Sequence, residues 1–272
     1  MRNLLIVLLF AGLAGTSPLG IGAQPASAPF PYALDAPELL AAMPDELQEI
    51  SGLAFDGDYL LAIEDEHGVV YRLDAATGEV KDRIAFWEDG DYEGIALVGS
   101  DVWVTKSNGR LYRIRGAGTD GQEVTEFNNW LKGENDVEGL TYDPAGNRLL
   151  LACKDDPKGN GMAKENRYVF AFDLATGELG KEAAYTIPRE DDFAPSSLAI
   201  HPQTGQLFLT SSVGKQLLVA KPGGGIETVR KLDKRYFPQP EGLCFSPDGT
   251  LYISTEARDG EPGRIYRLPL RP

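Results

Sequence analysis

Two cysteines, two histidines and three tryptophans in 272 residues exclude a good deal of chemistry. Zinc centres are built from clustered Cys and His, and no such cluster occurs here. His67 lies in a charged turn, "EDEHG", and His201 in a second turn, "IHPQTG". Neither has a Ser partner by sequence and no G-x-S-x-G is present, so a nucleophilic triad finds no support. Basic residues are also scarce. Lys and Arg total 26 against 41 Asp and Glu, a net charge of −15. A polyanion such as nucleic acid is repelled by this balance, because its affinity comes mainly from neutralised phosphates. Cations are attracted by it.

Long apolar runs are missing except at the N-terminus. "MRNLLIVLLFAGLAG" carries one Arg, then an apolar stretch with no acid, and "IGA" at 21–23 offers small residues before Gln24. This is the pattern of a secretory signal peptide over residues 1–23. The alternative is an uncleaved membrane anchor, although Leu4–Leu13 falls short of the roughly 20 residues a span needs. No Cys follows the run, which argues against a lipid anchor. The expectation is a periplasmic or secreted monomer occupying residues 24–272. Its partner is a small molecule or an envelope protein, and a membrane enters only if the leader is retained. Cys153 and Cys244 sit in apolar runs, "LLLACK" and "GLCFS". An exported chain can pair them. The competing reading is two buried small hydrophobes in non-adjacent repeats.

What is present in quantity is a repeat. A polar residue, a small residue and a hydrophobic pair recur in "EISGLA", "DYEGIA", "DVEGLT", "APSSLA" and "QPEGLC". The first polar positions are Ser51, Glu93, Glu138, Ser196 and Glu241, spaced 42, 45, 58 and 45 apart. A period in the forties made of short β-runs marks a propeller blade. Each repeat parses into strands bounded by Gly, Asp, Asn and Pro. "DAATGE" and "DLATGE" fall between third and fourth strands of repeats one and three, and "DPAGN", "HPQTG" and "SPDG" between first and second strands. Repeat five ends after three strands, which exposes an edge. The expectation is an all-β fold, a five-bladed propeller of four-stranded antiparallel blades. It is closed by an N-terminal outer strand near 31–36, "PYALDA", after which "ELLAAMPDEL" crosses towards the centre with a helical turn.

In a propeller the first strand of each blade lines the central channel. The five repeated positions then form a ring at one mouth, the upper one. Three carboxylates on one axis repel each other. They protonate, move apart or hold a cation. Oxygen-only ligands select a hard cation, and a wide channel completed by water suits Ca²⁺ better than Mg²⁺. The expected metal set is Glu93, Glu138 and Glu241 with Ser51 and Ser196. The alternative is that the glutamates bond neighbouring backbone or the basic groups of Lys106 and Lys154. The turns after second strands reach the same face, and Asp65, Glu66, Lys154 and Glu256 are candidates to point inwards. The turn at 154–167 is the longest and is expected to be mobile.

"LQEISGLAF", "LLAIEDEHGVVYRLD", "GDYEGIAL", "DVEGLTYDP", "SSLAIHPQTGQLFLTSS" and "QPEGLCFSPDGTLYISTE" together resemble the SdiA-regulated family of bacterial envelope proteins, from about Tyr32 to Arg267. The resemblance implies a five-bladed propeller, distantly similar to NHL-repeat proteins, and an associated Ca²⁺ site. That site is carried onto Glu93, Glu138 and Glu241, whose phrases match most closely. Ser196, in "PSSL", departs from the pattern. The resemblance implies no particular activity. Three functions stay open: a calcium-holding binding or scaffold protein, a Ca²⁺-dependent hydrolase of the lactonase or esterase kind in which the metal polarises a carbonyl, or a purely structural protein with an empty channel.

Overall fold

Turn chemistry sets the hairpins. Asp74 Oδ1 accepts the backbone N–H of Ala76 and Thr77 at 3.0 and 2.9 Å, and Asp173 Oδ1 accepts those of Ala175 and Thr176 at 2.8 and 2.9 Å. These are the matching turns of repeats one and three, each with the Gly that follows in the left-handed region. Asp143 and His201 perform the same service between first and second strands, accepting backbone N–H groups two and three residues on.

The computed structural model describes residues 30–155, 162–190 and 192–271. The leader expected at 1–23 and the centre of the long turn, 156–161, lie outside the described residues. The described residues of the unit from Pro31 onward form twenty strands in five four-stranded antiparallel sheets. Strand β1 is Glu38–Ala42. Blade one is β2 (Ile50–Asp56), β3 (Tyr59–Glu64), β4 (Val69–Asp74) and β5 (Val80–Ala85). Blade two is β6 (Tyr92–Val98), β7 (Asp101–Lys106), β8 (Leu111–Arg115) and β9 (Glu123–Phe127). Blade three is β10 (Val137–Asp143), β11 (Arg148–Cys153), β12 (Asn166–Asp173) and β13 (Glu178–Pro188). Blade four is β14 (Ser197–Ile200), β15 (Leu207–Ser211), β16 (Gln216–Ala220) and β17 (Ile226–Lys231). Blade five is β18 (Pro240–Phe245), β19 (Leu251–Thr255) and β20 (Arg264–Leu268), completed by β1. The protein is a five-bladed β-propeller.

An N-terminal strand closes the ring, but from a later segment than 31–36. β1 pairs antiparallel with β20, Glu38 opposite Arg267 and Ala42 opposite Arg264. Residues 31–36 form a turn with Ala36 N–H on Ala33 O, which a strand there would forbid. They serve as an anchor instead. Tyr32, 2% exposed, donates its hydroxyl to Gly249 O at 2.8 Å and meets Phe208 edge-on. The crossing to blade one follows β1 and contains one 3₁₀ turn, Asp45–Leu47, that buries Leu47 completely.

The core lies between blades. The central aliphatic of each phrase packs on the preceding blade: Ile95 joins Leu61 and Ile63, Leu140 joins Trp103, and Leu198 joins Leu150 and Ala152. The small residue beside it lets the sheets approach. A Cβ on Gly94 would stand 2.6 Å from Leu140 N, and one on Gly139 2.5 Å from Leu198 Cδ2. At Gly94 the contact is with backbone, so only glycine fits there without moving a blade.

Candidate functional site

The repeated polar position is also where the ladder slips. Register shifts occur between Ile50 and Gly52, Tyr92 and Gly94, Val137 and Gly139, and Pro240 and Leu243. Such bulges unpair one residue and re-aim its side chain. Ser51, Glu93, Glu138 and Glu241 sit on these four irregularities. In blade four the paired strand begins only at Ser197, so Ser196 precedes the ladder.

The ring divides by residue type. The two serines clamp blades together: Ser51 Oγ donates to Tyr92 O at 2.8 Å, and Ser196 Oγ to Pro240 O at 2.7 Å. The three glutamates instead feel one another's charge, although their oxygens do not all come within 4.8 Å of one another. Glu138 and Glu241 are each 5% exposed. Burial pushes the Glu93 carboxyl far up, helped by the Glu138 charge and a hydrogen bond shared with Asp91. Burial and the charges of Glu138 and Glu256 push Glu241 up, against the pull of Lys154 and a bond from Ser212. Burial raises Glu138 as well, although Lys154 draws it back.

Lys154 is the cation within this group. Its Nζ lies 2.7 Å from Glu138 Oε1 and 3.8 Å from Asp136 Oδ2. Burial works against its charge, yet Glu138 and Asp136 hold its pKa well above the usual range. Lys106 does not share the role; its ammonium rests 4.6 Å from the centre of the Tyr92 ring. Of the turn residues, Glu256 and Asp65 join the mouth. Burial, Asp65 and Glu49 raise Glu256 to about 8, and burial, Glu49 and Glu64 raise Asp65 to about 6. Asp65 Oδ1 is shielded from solvent and has no hydrogen-bond partner among the described residues. Glu66 stays outside this group. It is exposed and lies with His67 around Glu64, whose carboxylate accepts the backbone N–H of both. Among the described residues, only Glu64, Glu66 and His67 bring three such ligand atoms within 4.8 Å of one another.

A second set of polar residues, which the repeated phrase itself does not include, stands two positions upstream of the first: Glu49, Asp91, Asp136 and Gln239. Asp91 accepts a hydrogen bond from Ser107 Oγ, and Gln239 bonds Glu256 and Arg258. The signal was available, since "EIS", "DYE" and "DVE" each place an acid at that offset.

The donors are oxygens, their charges are in excess, and one buried carboxylate oxygen lacks a partner. That set fits a hard cation in charge and chemistry. In the geometry described, Lys154 supplies part of that charge.

The SdiA-regulated family model matches residues 32–269. The chain belongs to the SdiA-regulated family. No curated protein sequence matches it. Among solved structures, a Myxococcus xanthus glutaminyl cyclase is similar at 14% identity and a TM-score of 0.55, covering 87% of this chain and 94% of that one. The PQQ-bound aldose sugar dehydrogenase of Streptomyces coelicolor is similar at 16% identity and a TM-score of 0.54, covering 87% and 100%. At such identities the likeness is one of fold alone. In this SdiA-regulated protein, no helix among the described residues is long and apolar enough to cross a membrane.

Proposed function

We propose that this SdiA-regulated propeller is an exported protein that binds Ca²⁺ among the carboxylates of its upper mouth and uses that face to hold a ligand or partner of the cell envelope. One observation carries the reading: Glu138 and Glu241 are buried with Glu93 and Glu256 half-buried beside them, and burial together with the charge of neighbouring carboxylates raises all four pKa values, with Lys154 the cation bonded to Glu138. A divalent ion relieves that repulsion. Glu93, Glu138 and Glu241 would hold it, with water completing the six to eight oxygens it takes. Ser51 and Ser196 keep the blades in register around it and retain oxygen lone pairs on the same ring. The ion supplies charge neutralisation and an electrophilic centre. The protein residues fix the mouth's shape.

Calorimetric titration of the folded chain with Ca²⁺ tests this. A ligand at a hundred times its dissociation constant adds about 2.7 kcal/mol. A chain of this size should then melt roughly 5–10 °C higher than in chelator. Glu93→Gln should weaken binding while preserving the fold. No heat of binding, together with no shift on chelation, would leave the carboxylates balanced by protons and Lys154, and the reading would fail.

A second reading, hydrolysis, rests on Glu256. A carboxyl raised to about 8 beside such a site suits general acid or base catalysis near neutral pH. Turnover of lactone, aryl ester or phosphoester substrates that needs Ca²⁺ and is lost in Glu256→Gln would establish it. Binding of Ca²⁺ without turnover leaves the first reading.

A further inference from the structure

The far end of the channel is chemically opposite to the carboxylate mouth. Four positions after each repeated polar residue stand Phe55, Leu97, Tyr142, Ile200 and Phe245, one from each blade and all half-buried. Above them Leu53, Ile95, Leu140, Leu198 and Leu243 are at most 3% exposed and separate the two ends. The five lower side chains line a cavity of about 290 Å³.

A buried water needs about three hydrogen bonds. The side chains offer few; the channel-side edges of β2, β6, β10, β14 and β18 and the Thr141 hydroxyl are the other polar groups of the wall. Asp143 is spent: Oδ1 accepts the N–H of Ala145 and Gly146, and Oδ2 that of Arg148 Nε. Tyr142 donates its hydroxyl to Asn147.

His201 is the exception. It lines the cavity and is 4% exposed. Nδ1 accepts two backbone bonds, from Gln203 N–H at 3.2 Å and Thr204 N–H at 3.3 Å. The neutral ring must therefore carry its proton on Nε2. Burial lowers the ring's pKa and keeps it neutral. That Nε2–H has no partner among the described residues. The ring is held rigidly by Phe245, 5.0 Å away between centroids, and by Phe208 at 5.9 Å.

We propose that this cavity is a binding site for an uncharged, largely apolar small molecule bearing one hydrogen-bond acceptor, such as a ketone or ester carbonyl, which takes the His201 Nε2–H. The apolar side chains give affinity by burial of the ligand's surface, and the His201 donor fixes orientation. A carboxylate ligand is disfavoured by a neutral histidine and the absence of a free cation among the described lining residues. This site is independent of the Ca²⁺ reading.

The probe is prodan, a naphthalene ketone, titrated into the full chain and followed by its blue-shifted emission. Its analogue lacking the acyl group serves as control. Ala145 is exposed at the rim, so Ala145→Trp can cover the mouth without entering the core. In His201→Asn the amide oxygen can take over the turn bonds of Nδ1, as Asp143 shows in blade three, while the ring donor is lost. We expect saturable prodan binding, its loss in Ala145→Trp, and a three- to tenfold weakening in His201→Asn, about the value of one neutral hydrogen bond. The analogue should bind wild type and His201→Asn equally. Absence of saturable binding overturns the proposal, as does indifference to either substitution. Binding that appears only after proteolysis removes the residues before Pro31 would assign the cavity to the chain's own N-terminal segment and overturn it too.

Discussion

Lys154 and Glu138 both stand at the open end of the β10–β11 hairpin, where Val137 pairs with Cys153, and meet at 2.7 Å, ammonium on carboxylate, at the top of the channel. The bulge at Glu138 and the start of the long turn at Lys154 bring them together. The pair is buried on the acidic side, where Glu138 is 5% exposed, so each partner is the other's main compensation.

Removing the cation exposes that dependence. Lys154→Met keeps most of the packing but leaves Glu138 among Glu93, Glu241 and Asp136. The loss should be on the order of 3 kcal/mol at pH 8, as for breaking a buried pair from one side. At pH 5.5 Glu138 can take up a proton instead and the loss should shrink. Denaturant unfolding at the two pH values measures this, and a pH-independent loss would mean that the ammonium is not compensating a carboxylate.

The carboxyls also set the pH profile. Burial raises Asp65 to about 6 and Glu256 to about 8, and Glu93 and Glu241 shift the same way. These acids titrate near 4 when unfolded. Between those limits the native state holds more protons than the unfolded one, so stability falls as pH rises. The contribution is complete below about 4 and is lost through about 6 and then about 8. In chelator the chain should melt roughly 5 °C or more lower at pH 8.5 than at pH 5.5. A melting temperature that rises across this range would contradict the arrangement. If Ca²⁺ occupies the mouth, its addition should flatten the slope.

Ring closure is testable at the first strand. β1 covers the outer edge of β20 and the preceding anchor buries Tyr32 and Leu34. Deleting residues 31–42 should abolish cooperative melting, because blade five loses its outer strand and blades four and five lose the Tyr32 wedge against Phe208 and Phe245. A deletion variant with an unchanged transition would show that a three-stranded blade suffices.

The thiols should be silent. Cys153 and Cys244 are free, buried and in different blades, and burial raises Cys153 to about 12 and Cys244 further. Reaction with a thiol reagent should require global unfolding and so follow the denaturant transition for both residues. Rapid labelling of either in native buffer would place it nearer the surface than its strand allows.

Blade number, strand order and hairpin positions were legible in the sequence because they depend on local terms. The polar–small–aliphatic phrase, the period in the forties and Asp74, Asp143 and Asp173 at their turns each act within a few residues of themselves. The ring of Ser51, Glu93, Glu138, Ser196 and Glu241 followed from that period. What those side chains do there was decided by contacts between blades. Ser51 and Ser196 find carbonyls of the next blade, while Glu138 finds Lys154. Asp65 and Glu256 arrive from blades one and five, and the charge of Asp65 adds to burial in raising Glu256. The closing strand fell at Glu38–Ala42 rather than 31–36 because Tyr32 has a pocket beside Gly249, and no propensity announces a partner 217 residues away. The apolar floor beneath His201 was likewise spelled out one residue per blade. Only closure of the five blades into a ring turns Phe55, Leu97, Tyr142, Ile200 and Phe245 into the wall of one cavity.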